Sequence, residues 1–182
     1  MKQHYLVPQQ HKGLSKDLEY RVVAESDEDA DDWFVDAKDR MLDVNGWPGY
    51  VADAGVSLLL TDSNGKPVKR HARAGDHIRV DTATGVQEWL LVESVEYDDY
   101  PDDNKETIAI RVHPVAAPVA GSGAVALLPD EHDSATFVVE RSGIQLKASY
   151  HGRAEDAANS NGAVWQGWSE GYWGALIKRF LQ

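Results

Sequence analysis

The sequence predicts an α+β protein: a mostly antiparallel curved sheet, or a partly open barrel, with two helices packed on it. Three observations predict it. Short apolar runs follow one another through short turns, as hairpin connections require. No strand–helix–strand alternation exists to build a parallel sheet. Only two stretches carry a helical apolar repeat. At 182 residues the chain is read as a single domain, 1–182, with a loosely ordered arm at 1–16 and a long loop at 114–133.

The clearest hairpin sets the frame. Apolar runs 135–141 and 144–150 flank Ser142-Gly143, a tight-turn signal. In the second run Ile144, Leu146, Ala148 and Tyr150 alternate with Gln145, Lys147 and Ser149, which predicts a strand with one buried face. The strand is expected to end at Tyr150. His151, Gly152, Arg153 and Glu155 follow as a rim, with Gly152 turning the backbone.

Taken in order, Leu18, Tyr20, Val22 and Ala24 form the inner series of a first strand. Ser26 opens a helix over 27–45. It is a preferred N-cap, and Asp27, Glu28 and Asp29 match the positive end of the helix dipole. Ala30, Trp33, Phe34, Ala37, Met41 and Val44 recur at helical spacing as its core face. Asn45-Gly46 reads as a left-handed stop, and Pro48 prevents continuation. Gly46-Trp47-Pro48-Gly49-Tyr50 reads as a stiff aromatic turn whose Trp47 and Tyr50 cap the core or line a pocket.

Strands are expected at 56–61, 66–71, 77–82, 88–97 and 106–113, joined by Asp62-Ser63-Asn64-Gly65, Gly75-Asp76 and Thr84-Gly85. Pro67 puts 66–71 at an edge. The acidic stretch 98–104 has oxygen ligands suited to calcium, but its spacing does not match a calcium loop and Pro101 interrupts it, so it reads as a solvated hairpin loop. Residues 114–133 are too apolar for a linker and too broken for an element. They end in Asp130-Glu131-His132-Asp133, a metal-ligand mixture that would need His113 or His151 to complete it; the expectation is no metal and no cofactor. A polar loop leads to a last helix capped by Ser169, with Tyr172, Trp173, Leu176, Ile177 and Phe180 as its apolar face.

Composition excludes several functions. The net charge of −12 repels phosphate backbones and anionic lipid, so neither nucleic acid nor membrane is an expected partner. With no cysteine, disulfides and thiolate chemistry are impossible. The N-terminus has no apolar signal region and no run reaches membrane-spanning length, so the expectation is a soluble cytoplasmic protein. No nucleophile-elbow, phosphate-loop or zinc-protease motif occurs.

The element order strand, helix, antiparallel strands, terminal helix is similar to the helix-grip fold, which implies a curved sheet wrapped around a long C-terminal helix over a hydrophobic cavity. This chain departs from it: its last helix is short and one helix, not two, is expected between the first strands. A simple barrel with two flanking helices is the alternative. In addition, Ala135 to Gly143, Tyr150-His151-Gly152-Arg153-Ala154-Glu155, the segment 75–80 and Trp89 resemble a family of uncharacterised bacterial proteins in which a strand ends in His-Gly-Arg. That resemblance implies no activity and assigns no residue a role.

Three functional readings follow, in order. The first is a non-enzymatic module binding a small apolar or amphipathic ligand in an aromatic-lined cavity, with His151, Arg153, Glu155, Trp47 and Tyr50 as ligand-binding residues. The second is an acidic module for a basic protein partner. The third is an enzyme in which His151, Arg153 and Glu155 act as base and anion clamp.

Overall fold

The computed structural model describes residues 14–51, 56–82, 85, 87–118, 133–154 and 170–182. Seven strands form one open, curved, antiparallel sheet. They are β1 (Leu14–Val23), β2 (Val56–Thr61), β3 (His77–Thr82), β4 (Gln87–Tyr100), β5 (Lys105–Val115), β6 (Ser134–Ser142) and β7 (Gln145–Ala154). Their order is β1-β7-β6-β5-β4-β3-β2, so β1 and β2 are the edges and the barrel is not closed. The predicted class therefore holds in its open-sheet form. Among the described residues the helices are α1 (Asp27–Leu42), the four-residue α2 (Trp47–Tyr50) and α3 (Glu170–Phe180). No described helix is long and apolar enough to cross a membrane.

The first correction concerns the stretch after α1. Ser26 caps α1 as expected, its Oγ accepting from Asp29 N–H at 3.1 Å. The helix stops at Leu42, not at residue 45, and gives way to a 3-10 turn at Val44–Gly46 and then α2. Two helical segments, not one, thus separate β1 from β2. Asn45 is no left-handed stop; its amide accepts from Leu60 N–H and donates to Val68 C=O, both at 2.8 Å. Gly46 is needed for room, because a Cβ there would collide with the Asp43 carboxylate and the Tyr50 hydroxyl.

Residues 66–71 form no strand. Only an isolated bridge joins Thr61 to Pro67. Proline has no N–H to donate, so the backbone pairing stays short, with Val68 N–H donating to Leu60 C=O at 3.1 Å and Asp62 N–H to Lys66 C=O at 2.8 Å. Side chains add to it, Asn45 donating to Val68 C=O and Arg70 making a bidentate pair with buried Asp76 at 2.6 and 2.9 Å.

The helices cover one face of the sheet, α1 packing on β6 and β7, and α3 on β1 and β7. On this inner face Leu146, Ala148 and Tyr150 are buried, as are Ile108, Ile110 and Val112. The aromatic rings expected around a cavity form a buried cluster centred on Phe137, with centroids 5.1 Å from Trp47, 5.4 Å from Tyr150 and 5.2 Å from Trp173. Tyr150 and Trp173 stack at 5.6 Å. Tilted and offset rings at these separations suit the aromatic quadrupole. All five apolar residues of α3 assigned from the sequence are buried.

Two face assignments are corrected. The two-residue β6–β7 turn is Gly143-Ile144, with Gly143 at φ 58°, so Ile144 leaves the inner series and is exposed. Trp33 is half-buried at the margin of the α1 core face, which consists of Ala30, Phe34, Ala37 and Met41.

Candidate functional site

The β7 strand does not end at Tyr150. It continues to Ala154, paired on one side with β1 and on the other with β6. Gly152 makes no turn; it lies in the strand beside Tyr150 on the inner face, where an added Cβ would lie 2.7 Å from the Tyr150 hydroxyl. Alternation then carries His151 and Arg153 to the outer face with Lys147 and Ser149. The two side chains do point the same way, but on the side of the sheet opposite the helices.

There they meet Asp17, which β1 pairs directly with His151. Asp17 Oδ1 lies 2.7 Å from His151 Nδ1 and accepts from Arg153 Nη1 at 2.8 Å. His151 Nε2 lies 3.0 Å from Ser149 Oγ, so the imidazole is fixed at both nitrogens. Burial works against the Asp17 carboxylate, yet the hydrogen bonds and charges of Arg153 and His151 outweigh it and hold its pKa below the ordinary value. Across the next pairing β6 sets Thr136 opposite His151 and Ser134 opposite Arg153. Thr136 is fully buried and Ser134 nearly so.

Sequence reasoning missed Asp17, Ser134, Thr136 and Ser149. Placing the hairpin turn one residue later would have set Thr136 opposite His151. Nothing local points to Asp17, whose pairing with β7 is long-range.

Trp47 and Tyr50 lie elsewhere. Trp47 is buried in the aromatic cluster, its indole N–H directed at the Arg40 and Met41 carbonyls, each at 3.2 Å. Tyr50 lines a groove of about 850 Å³ between the end of α1 with α2 and the edge strand β2 with residues 67–71. Leu58, Leu59 and Val68 give this groove apolar wall, and Arg70 and His71 stand on its border. The Tyr50 hydroxyl donates to Asp43 Oδ2 at 3.3 Å. Burial, then the Asp43 charge and hydrogen bond, push its pKa up, keeping it a neutral donor. Glu155 lies outside the described residues, as do Glu131 and His132. No group of three or more metal-ligand side chains clusters among the described residues.

The fold and these two polar regions define an open-sheet α+β protein with helices on one face. No protein-family model matches the chain, and no curated protein matches it. Among solved structures it is similar to hypothetical protein jhp0584 from Helicobacter pylori, with a TM-score of 0.56 and 12% identity over 100% of this chain and 97% of that one. Protein Ms6760 from Mycobacterium smegmatis gives 0.49 and 12% over 92% and 88%. Truncated norcoclaurine synthase from Thalictrum flavum gives 0.45 and 14% over 96% of each chain. At 12% identity the first likeness is one of fold, and fold carries no activity with it.

Proposed function

We propose that this chain is a non-enzymatic module that binds a small amphipathic molecule in the groove beside Tyr50. The observation that supports this is the groove itself: about 850 Å³, within the size range of small-molecule sites, with apolar wall on one side and polar groups at its border. The ligand's apolar part lies on Leu58, Leu59 and Val68; its polar part faces Arg70, His71 and the Tyr50–Asp43 pair. Trp47 contributes from below by holding α2 in place. The relation to a bacterial family with His-Gly-Arg at a strand end belongs to the same proposal. The test is a titration with the amphipathic dye 1-anilinonaphthalene-8-sulfonate. Saturable fluorescence enhancement that disappears in Leu59→Asp and weakens in Tyr50→Ala, both with unchanged circular dichroism, supports the reading. Enhancement that is absent, or equal in wild type and Leu59→Asp, overturns it.

A further inference from the structure

At the other end of the strand order, the outer face carries a hydrogen-bond deficit. Thr136 Oγ1, Ser134 Oγ and Arg153 Nε are all buried without a partner among the described residues. Buried polar groups in folded proteins are nearly always paired, so three orphans in adjoining positions of one strand pair need an explanation. Register makes them one patch: Ser134 is paired with Arg153, and Thr136 with His151 on one side and Arg111 on the other.

The chemistry of the patch is one-sided. A guanidinium Nε–H can only donate, and the two hydroxyls are free to donate with it. Arg111, Arg153 and His151 surround them, in a chain whose net charge is −12. The carboxylates near the patch include Asp17, which occupies Arg153 Nη1 and His151 Nδ1, Glu19, which β1 sets opposite Ser149 and whose charge acts on His151, and buried Asp133 next to Ser134 in sequence. Asp17 thereby fixes the guanidinium plane through Nη1, while Nε carries no bond. We propose that Arg153 Nε, Ser134 Oγ and Thr136 Oγ1 form a binding site for a small oxyanion, a phosphate or carboxylate group, with Arg111 supplying further positive charge. An oxyanion offers acceptors only, which is the chemistry these donors lack, and its hydrogen bonds to them are charge-assisted.

The experiment uses the full chain in a buffer free of phosphate and carboxylate. Melting temperatures are followed against inorganic phosphate, sodium acetate and, at matched ionic strength, sodium chloride. Phosphate or acetate at ten times its Kd raises the melting temperature by about 3–6 °C, and chloride does not. Phosphate alone identifies a tetrahedral anion and acetate alone a carboxylate, and either supports the site. Thr136→Val and Ser134→Ala remove one hydroxyl each, keep Arg153 and Asp17, and abolish the shift. Tyr50→Ala keeps it, which separates this site from the groove. No anion-specific shift in wild type, or the same shift in both hydroxyl variants, overturns the proposal. So does a Thr136→Val variant that melts lower by the same amount with and without anion, which is the behaviour of a hydroxyl bound to a structural water.

Discussion

Trp33 and Leu181 are joined by a hydrogen bond from the indole N–H to the Leu181 carbonyl, 2.8 Å long. Arg40 makes the matching bond two turns further along α1, from Nη1 to Phe180 C=O at 3.0 Å. The end of α3 leaves its last carbonyls without helical partners, and α1 supplies donors for two of them. Trp33→Phe keeps an aromatic ring but loses the five-membered half of the indole together with its donor. It should lower unfolding free energy by about 1 kcal/mol in a denaturant titration. An unchanged midpoint would mean that water replaces the indole.

Gly152→Ala tests the packing of the inner face. The added methyl lies 2.7 Å from the Tyr150 hydroxyl and 3.2 Å from two ring carbons, and Tyr150 is itself stacked on Trp173. Overpacking of this kind should cost about 1–3 kcal/mol. Adding Tyr150→Phe removes the nearest atom and should recover part of the loss. A double variant no more stable than Gly152→Ala would show that the ring, not the hydroxyl, sets the clash.

Asp17 makes stability depend on acid. Its folded pKa lies below the unfolded one, so the stabilisation is fully present above the ordinary carboxylate value and is lost as pH falls through the folded value. Unfolding free energies of wild type and Asp17→Asn should therefore differ at pH 6 and converge as pH falls through the folded value. A difference that stays constant to pH 2 would assign the effect of the variant to packing.

Tyr97 shows the opposite sign. Its hydroxyl donates to Glu106 Oε2 at 2.8 Å, and this bond, with burial and the carboxylate charges, pushes its pKa up to about 12. The stabilisation is present below the unfolded value near 10 and is lost as pH rises through the folded one. Difference absorbance at 295 nm between wild type and Tyr97→Phe should titrate with a midpoint near 12, and Glu106→Gln should lower it. A midpoint near 10 in wild type would mean that the phenol and Glu106 are not bonded in solution.

What the sequence made legible is what short-range pattern controls. The cap at Ser26, the inner faces of β5 and β7 and the whole apolar face of α3 follow from spacing alone. Burial on both faces of β6 hides which side carries the site: Ala135, Phe137 and Val139 are buried inward, Thr136 and Val138 outward. Such a strand gives no alternation to read. The stop of α1 was misread because Asn45 suits both a left-handed cap and a tertiary clasp, and the partners that decide it, Leu60 and Val68, lie in another part of the chain. For His151 and Arg153 the error was one of strand length. A glycine after a strand suggests a turn, but Gly152 is there because Tyr150 needs the space. The groove beside Tyr50 was visible only as a stiff aromatic turn, since its far wall comes from β2 and residues 67–71.

The position of β1 at the sheet edge has a kinetic consequence. From β2 to β7 each strand pairs with its neighbour in sequence, so those contacts close short loops. β1 instead pairs with β7, Leu14 opposite Ala154 and Val23 opposite Gln145. That pairing must wait for nearly the whole chain and closes the largest loop, which slows its formation relative to local pairs. On a ribosome the meander can order first, while β1 stays without its partner until β7 has emerged. The cluster around Asp17 and His151 then comes together late, because one half of it travels with the first strand made and the other with the last.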